Sequence, residues 1–263
     1  MDLQLNGKVA LVTAASRGLG RAVALRLAQE GAETVICARS SDALFRTAAE
    51  IHSATQRECL AIQTDVTRDS DIRALVRQTL AHMGRIDILV TNAGGPPPGG
   101  FLDVPLVAWA SASELTLMSV VRLCNAVVPA MIDQHAGSIL AVTSISVMQP
   151  VHGLVLSTSM RLGVVGLIKT LATELAPYGI RANVIAPGWT KTGRVSQLLE
   201  ARAAKNGTTV QEESRQIISD IPLGRMASPS EFAAAAAYLV SPAASYVTGV
   251  VLPVDGGAHR GTL

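Results

Sequence analysis

Short apolar runs alternate with longer amphipathic stretches along nearly the whole chain. Val9-Ala10-Leu11-Val12 reads as a strand, the stretch from Leu19 to Gln29 has helical spacing and ends at Gly31, and Thr34-Val35-Ile36-Cys37-Ala38 reads as a second strand. Helical patterns near Asp42 to Ser53 and Ser70 to Met83 separate strand candidates at Cys59 to Gln63 and Ile86 to Val90. Further strands are predicted at Ser138 to Thr143, Ala182 to Ile185 and Val250 to Pro253, with long helices before each. This alternation implies a parallel sheet covered by helices on both faces. Gly94-Gly95-Pro96-Pro97-Pro98-Gly99-Gly100 is a local turn-rich loop, and Ala233 to Ala237 reads as close helix packing. The segment from Thr190 to Ser219 breaks the rhythm and is more polar, which fits either a mobile lid or a plain surface insertion.

Composition narrows the class. A chain of 263 residues fits one α/β domain, and 49% hydrophobic against 16% charged residues excludes a disordered chain. Aromatic residues are only 3%, so aliphatic side chains must fill the core. A net charge of +2 argues against a nucleic-acid-binding surface. Cys37, Cys59 and Cys124 are odd in number, widely separated and without a CxxC pair, so three free thiols in a reducing compartment are expected. Asp2 and the polar Asn6-Gly7-Lys8 do not suit a signal peptide. No uninterrupted apolar run approaches the ~20 residues of a membrane span. The expectation is a cytoplasmic protein with no membrane and no nucleic-acid partner.

The first strand runs directly into Thr13-Ala14-Ala15-Ser16-Arg17-Gly18-Leu19-Gly20, which opens a helix. In that context the small residues let backbone N–H groups approach a pyrophosphate, and the helix start turns its positive end toward it. Other chemistries fail on their own motifs. There is no Gly-x-Ser-x-Gly elbow and no GKS or GKT sequence in the turn. His52, His82, His135 and His259 have no ligand spacing, and no Cys/His cluster or HExxH occurs, so no metal is expected.

The turn is followed, in order, by Asp65-Val66, Asn92-Ala93-Gly94, Pro187-Gly188 and Val254-Asp255-Gly256-Gly257. With these motifs the whole chain resembles the short-chain dehydrogenase/reductase family, and within it a divergent branch like the 3-oxoacyl-[acyl-carrier-protein] reductases. The resemblance implies a single Rossmann-type α/β domain over residues 1–263, with a doubly wound parallel sheet of about seven strands. It further implies that Thr13 through Gly20 holds a pyrophosphate, Asp65 and Val66 touch the adenine, and Asn92-Ala93-Gly94 borders the adenosine ribose. Pro187, Gly188, Thr190 and Thr192 would lie along the nicotinamide, with residues 190–219 as a substrate lid. Ala14 replaces the first glycine of the family's turn and, since alanine resists positive φ, the turn must be accommodated differently. The second strand ends in Ala38-Arg39 where an acidic residue would favour NAD. Arg39 with Arg17 would flank the adenosine ribose and favour NADP(H).

The catalytic positions depart from the family. Alignment of Gly137 to Ser144 places Ser144 at the catalytic serine, but Ser157 stands at the tyrosine, Arg161 at the lysine and Thr116 at the asparagine. A serine hydroxyl is a far weaker acid than a phenol beside a cation, so the proton for a developing alkoxide needs another arrangement. Arg161, one turn from Ser157, keeps the positive charge and is expected to hold nicotinamide-ribose hydroxyls or an oxyanion. His152, between Ser144 and Ser157, is a candidate proton donor, although a surface position without a role fits it better. The expected activity is an NADP-dependent oxidoreductase acting on a small-molecule carbonyl or alcohol. The rival readings are a catalytically silent dinucleotide-binding sensor or scaffold, and a lyase or isomerase using the same pocket. Long apolar faces near Leu106 to Met131 and Leu154 to Ala176 resemble the subunit-pairing helices of the family and imply a homodimer or homotetramer.

Overall fold

Each apolar run forms a short strand that turns into a helix, and the strands lie side by side in parallel. A computed structural model describes residues 2–262. The strands are β1 Val9–Thr13, β2 Glu33–Ala38, β3 Cys59–Gln63, β4 Ile88–Thr91, β5 Gly137–Val142, β6 Ile180–Pro187 and β7 Val251–Val254. They make one seven-stranded sheet of order β3-β2-β1-β4-β5-β6-β7. The order reverses between β1 and β4, where the crossovers lead away to opposite sides and leave a crevice at the carboxyl ends of the strands.

The pleat divides the apolar residues between two cores. Ala10 and Val12 of β1 face one layer with Leu27 of α1 (Gly18–Gln29), Leu44 and Ile51 of α2 (Ser41–Thr55), and Phe232 and Ala236 of α9 (Pro229–Val240). Val9 and Leu11 face the other, with Leu75 of α3 (Asp69–Met83), Leu123 and Val127 of α5 (Ser119–Asp133), and Val164 and Ile168 of α6 (Val155–Glu174). The alanine run supplies close packing as its sequence implies: Ala233, Ala236 and Ala237 are fully buried in α9 beside α1. All three cysteines are free thiols. Burial pushes the Cys37 and Cys124 thiols up to about 12, so they act as core residues.

Four features differ from the sequence expectation. β4 begins at Ile88, not Ile86, because the Ile86 amide donates to Gln134 Oε1 and Asp87 spends its carboxylate on the Val9 amide, Lys8 and Arg85. β6 extends from Ile180 to Pro187 because it is paired on both edges, by β5 and β7. The polar segment after Thr190 is two helices, α7 (Gly193–Asn206) and α8 (Val210–Ser219). Their apolar stripe is narrow, and Val195, Leu199, Ile217, Ile221 and Met226 form a small core of their own. Finally, Leu106–Asp133 and Val155–Glu174 are long and apolar enough, by length and composition, to cross a membrane. Glu114 and Arg122 interrupt the first and Arg161 and Lys169 the second, so neither is an uninterrupted apolar run, and both pack partly against the sheet. The first of these spans α4 (Leu106–Ser113), a π-helical turn at Glu114–Met118 and α5.

Phe232 is completely buried where α9 meets the sheet, so Phe232→Ala removes a large packed volume. The expected loss is about 3–5 kcal/mol of unfolding free energy, measured by urea denaturation. A loss under ~1 kcal/mol would contradict this packing.

Candidate active site

The crevice is built where β1 and β4 end. Thr13 Oγ1 donates to the Asn92 carbonyl at 2.7 Å and accepts from the Asn92 amide at 2.8 Å, locking the two strand ends together. Ala15 N donates to Cys37 O at 3.0 Å, which ties the next residue to β2. Between these anchors the chain must reverse sharply, and Ala14 takes φ +48°. The alanine thus enters the left-handed region it ordinarily resists, at a cost of roughly 1–2 kcal/mol. Gly18 also has positive φ, at +61°. A Cβ on Gly20 would sit 2.6 Å from the Ala14 carbonyl oxygen and 2.9 Å from Asn92 Nδ2, so only glycine lets α1 start this close.

The start of α1 fits a bound anion. Its N-cap Arg17 makes no side-chain capping bond and its first turn holds no acidic residue, leaving the N-terminal amides without side-chain acceptors. Arg17 and Arg39 are both exposed, and neither forms an ion pair among the described residues. Asp65, at the end of β3, accepts from the Thr67 amide and hydroxyl at 3.0 and 2.8 Å. Those bonds, with the positive charges of Arg39 and Arg68, hold its carboxyl below the usual range. Val66 is buried beside it, and Asn92, Ala93 and Gly94 continue from β4 along the crevice.

Across the crevice, Arg161 is 8% exposed and Ser157 9%, both on α6. Arg161 Nε donates to Ser157 Oγ at 3.2 Å and Nη1 donates to the Val142 carbonyl at 2.9 Å. Burial, then the charge of Arg194, lowers the Arg161 pKa to about 10, so the guanidinium stays protonated at neutral pH. Ser144, two residues beyond Val142, caps a short turn by accepting from the Ser146 amide at 3.2 Å. Thr116 lies in the π-helical turn, and Gly163 of α6 lets that turn approach closely, since a Cβ there would be 3.2 Å from Leu117. Thr116 Oγ1 and Thr91 Oγ1 are buried without a hydrogen-bond partner and line one small cavity with Asn92, Ala93 and Arg161. The structure therefore joins Ser157, Arg161 and Thr116 around the end of β4 and β5. His152 is exposed on the loop before α6 and does not join them.

The third wall comes from β6, β7 and α7. A Cβ on Gly188 would collide with Asp255 at 2.7 Å, so the Pro187-Gly188 turn packs directly on the Val254 to Gly257 segment. Thr190 is buried and turns its hydroxyl back to Gly188 O at 3.4 Å, so it shapes the turn. Thr192 caps α7 and faces the phosphate turn, its Cγ2 4.0 Å from where a Cβ on Gly18 would stand. The sequence reading missed Arg194. Its Nη2 donates to Pro96 O at 2.7 Å, clasping α7 to the Pro/Gly loop, which itself pairs with the chain before α6 through Gly99 N and Gly153 O at 2.7 Å. One signal was available: a cation in the first turn of a helix opposes the helix dipole and needs another reason to be there.

If the left-handed Ala14 and the absent Cβ of Gly20 form the cradle, the two positions respond oppositely to substitution. Ala14→Gly is expected to retain dinucleotide affinity and gain up to about 1 kcal/mol in stability. Gly20→Ala is expected to weaken dinucleotide binding strongly, as read by fluorescence titration; unchanged binding would show that the turn has slack.

Comparison with known proteins agrees with the fold. A family model described as Enoyl-(Acyl carrier protein) reductase matches residues 13–259. A 3-oxoacyl-[acyl-carrier-protein] reductase from Synechocystis is 36% identical over 255 residues, covering 96% of this chain and 97% of the relative. Dehydrogenase/reductase SDR family member 4 from Oryctolagus cuniculus is 38% identical over 258 residues, covering 97% and 94%. Among solved structures, L-sorbose reductase from Gluconobacter frateurii, complexed with NADPH and L-sorbose, superposes with a TM-score of 0.94 at 31% identity, covering 99% and 100%. The F189W actinorhodin polyketide ketoreductase with NADPH gives 0.93 at 34% identity, covering 97% and 98%. With the strand order and these likenesses in agreement, the chain belongs to the short-chain dehydrogenase/reductase family, in the company of the 3-oxoacyl-[acyl-carrier-protein] reductases.

Proposed function

We propose that the protein is an NADP(H)-dependent oxidoreductase that interconverts a small carbonyl compound and its alcohol. The observation that carries the reading is the joining of a phosphate cradle to a buried hydroxyl and guanidinium at the same sheet edge. The free amides of α1 would hold the pyrophosphate, Arg17 and Arg39 the ribose phosphate, and Asp65 and Val66 the adenine side. Arg161 would hold the nicotinamide-ribose hydroxyls. Bound NADPH supplies a hydride to the carbonyl carbon.

The residues of the chain then have to supply a proton to the oxygen. Because Arg161 Nε–H donates to Ser157 Oγ, the serine's own O–H is left to point at a substrate oxygen. The adjacent positive charge makes that hydroxyl a better acid, and the proton is replaced from solvent. Ser144 Oγ, engaged only as an acceptor, has its hydrogen available for the same oxygen. Support for NADP(H) over NAD(H) comes from the unpaired Arg17 and Arg39 and from the NADPH complexes of related reductases. The helical pair of residues 193–219 serves as the lid over the substrate, held by Arg194.

The apolar faces of α4 to α6 are only partly covered within one chain, and Leu106, Val107 and Leu162 are exposed. Pairing of copies on these faces gives a dimer or tetramer. Buried free thiols suit a reducing cytoplasm.

Calorimetry should show NADPH binding with at least tenfold preference over NADH, on the order of 1.4 kcal/mol. Arg17→Ser with Arg39→Asp should reverse that preference; its persistence would remove the role of these arginines. Against a panel of ketones and aldehydes, Ser157→Ala should lower kcat by about 10²- to 10⁴-fold with little change in NADPH affinity. Tight NADPH binding without turnover on any carbonyl would favour the sensor or scaffold reading.

A further inference from the structure

Two guanidinium groups reach the same short loop from different helices. Arg161, on α6, lines the cavity formed by Thr91, Asn92 and Ala93. Arg194, on α7, bonds Pro96 O, and its Nη2 lies 3.0 Å from where a Cβ on Gly95 would stand. Their charges act on one another, since Arg194 depresses the protonation of Arg161. Burial depresses Arg194 as well. Among the described residues neither has a carboxylate within ion-pairing distance, although ten other pairs occur in the fold. Arg161 uses Nε and Nη1 in hydrogen bonds, and Arg194 is fixed by a single bond to a backbone carbonyl. Arg194 also occupies the first turn of α7, where the helix dipole repels a cation.

Two like charges that reach one loop from separate helices, partly desolvated and without a carboxylate partner, favour an anion beside them. The coenzyme phosphates have their own donors at the turn of residues 13–20, on the side of the crevice that Thr192 faces. Arg194 bonds the Pro/Gly loop at Pro96, two residues beyond Gly94. We infer that Arg194, with the charge of Arg161 behind it, receives the carboxylate of the substrate, so that the substrates are anionic keto acids or hydroxy acids. The inference rests on the oxidoreductase reading and assigns its substrate class. A guanidinium takes a carboxylate bidentately, which would also fix the orientation of the carbonyl toward Ser157. The clasp on Pro96 then becomes a sensor of the same event: α7, the loop and the substrate share one side chain.

The test uses calorimetric titration of pyruvate and levulinate, each against its methyl ester, into the full-length protein with and without saturating NADP⁺. Each carboxylate is expected to bind roughly 10- to 100-fold tighter than its ester. Arg194→Met should bring that ratio near one, Arg194→Lys should keep part of it, and both should bind NADPH as the parent protein does. No preference for the carboxylate, or a preference that survives Arg194→Met, would overturn the inference. A matching loss of NADPH affinity in Arg194→Met would overturn it too, by giving the guanidinium to a coenzyme phosphate. Absence of NADPH binding in the parent protein would instead remove the oxidoreductase reading, while the titrations without coenzyme still report on the arginine.

Discussion

The reciprocal hydrogen bonds between Thr13 and Asn92 are the constraint on which the site depends. They join β1 to β4 where the strand order reverses, and so fix the width of the crevice from which every other wall is measured. Ala14 is forced into a left-handed turn between that lock and the Ala15 bond to β2, and Gly20 lets the helix close up behind it. Backbone strain of this kind persists only where surrounding contacts over-determine the conformation, and here two strands and one helix do so.

The second half of the site hangs from the same sheet by a different contact. Arg161 reaches from α6 to the Val142 carbonyl at the end of β5, which carries Ser157 with it and brings both beside the π-helical turn that holds Thr116. A buried guanidinium bonded to a backbone carbonyl and a hydroxyl is a rigid fixture, unlike a lysine on a flexible stem. The planar cation supplies fixed donors, and the short Ser157 hydroxyl is positioned by one of them.

Much of this was legible in the residue pattern. The strand and helix alternation, the tight turn from β1 into α1 at residues 13–20 and the placing of Ser157 and Arg161 one turn apart on α6 all follow from local periodicity and spacing. What escaped was set by contacts distant in sequence. The start of β4 depends on Gln134 and on the partners of Asp87, and the helices of residues 193–219 announce themselves only by a narrow stripe and the Thr209/Glu212 capping box. The clasp of Arg194 on Pro96 joins residues 98 positions apart, so its only local trace is a cation misplaced in the first turn of α7. Ala14 taught the converse lesson, since its residue type argued against the conformation that its neighbours impose.

Hydrogen–deuterium exchange across the chain, with and without NADPH, tests the dependence on the β1 to β4 lock most directly. Binding should slow exchange together at residues 14–20 and 92–94, the two sides joined by Thr13 and Asn92, with weaker slowing around Ser157 and Arg161. Slowing confined to any other region, or none at saturating NADPH, would contradict the crevice as the coenzyme site.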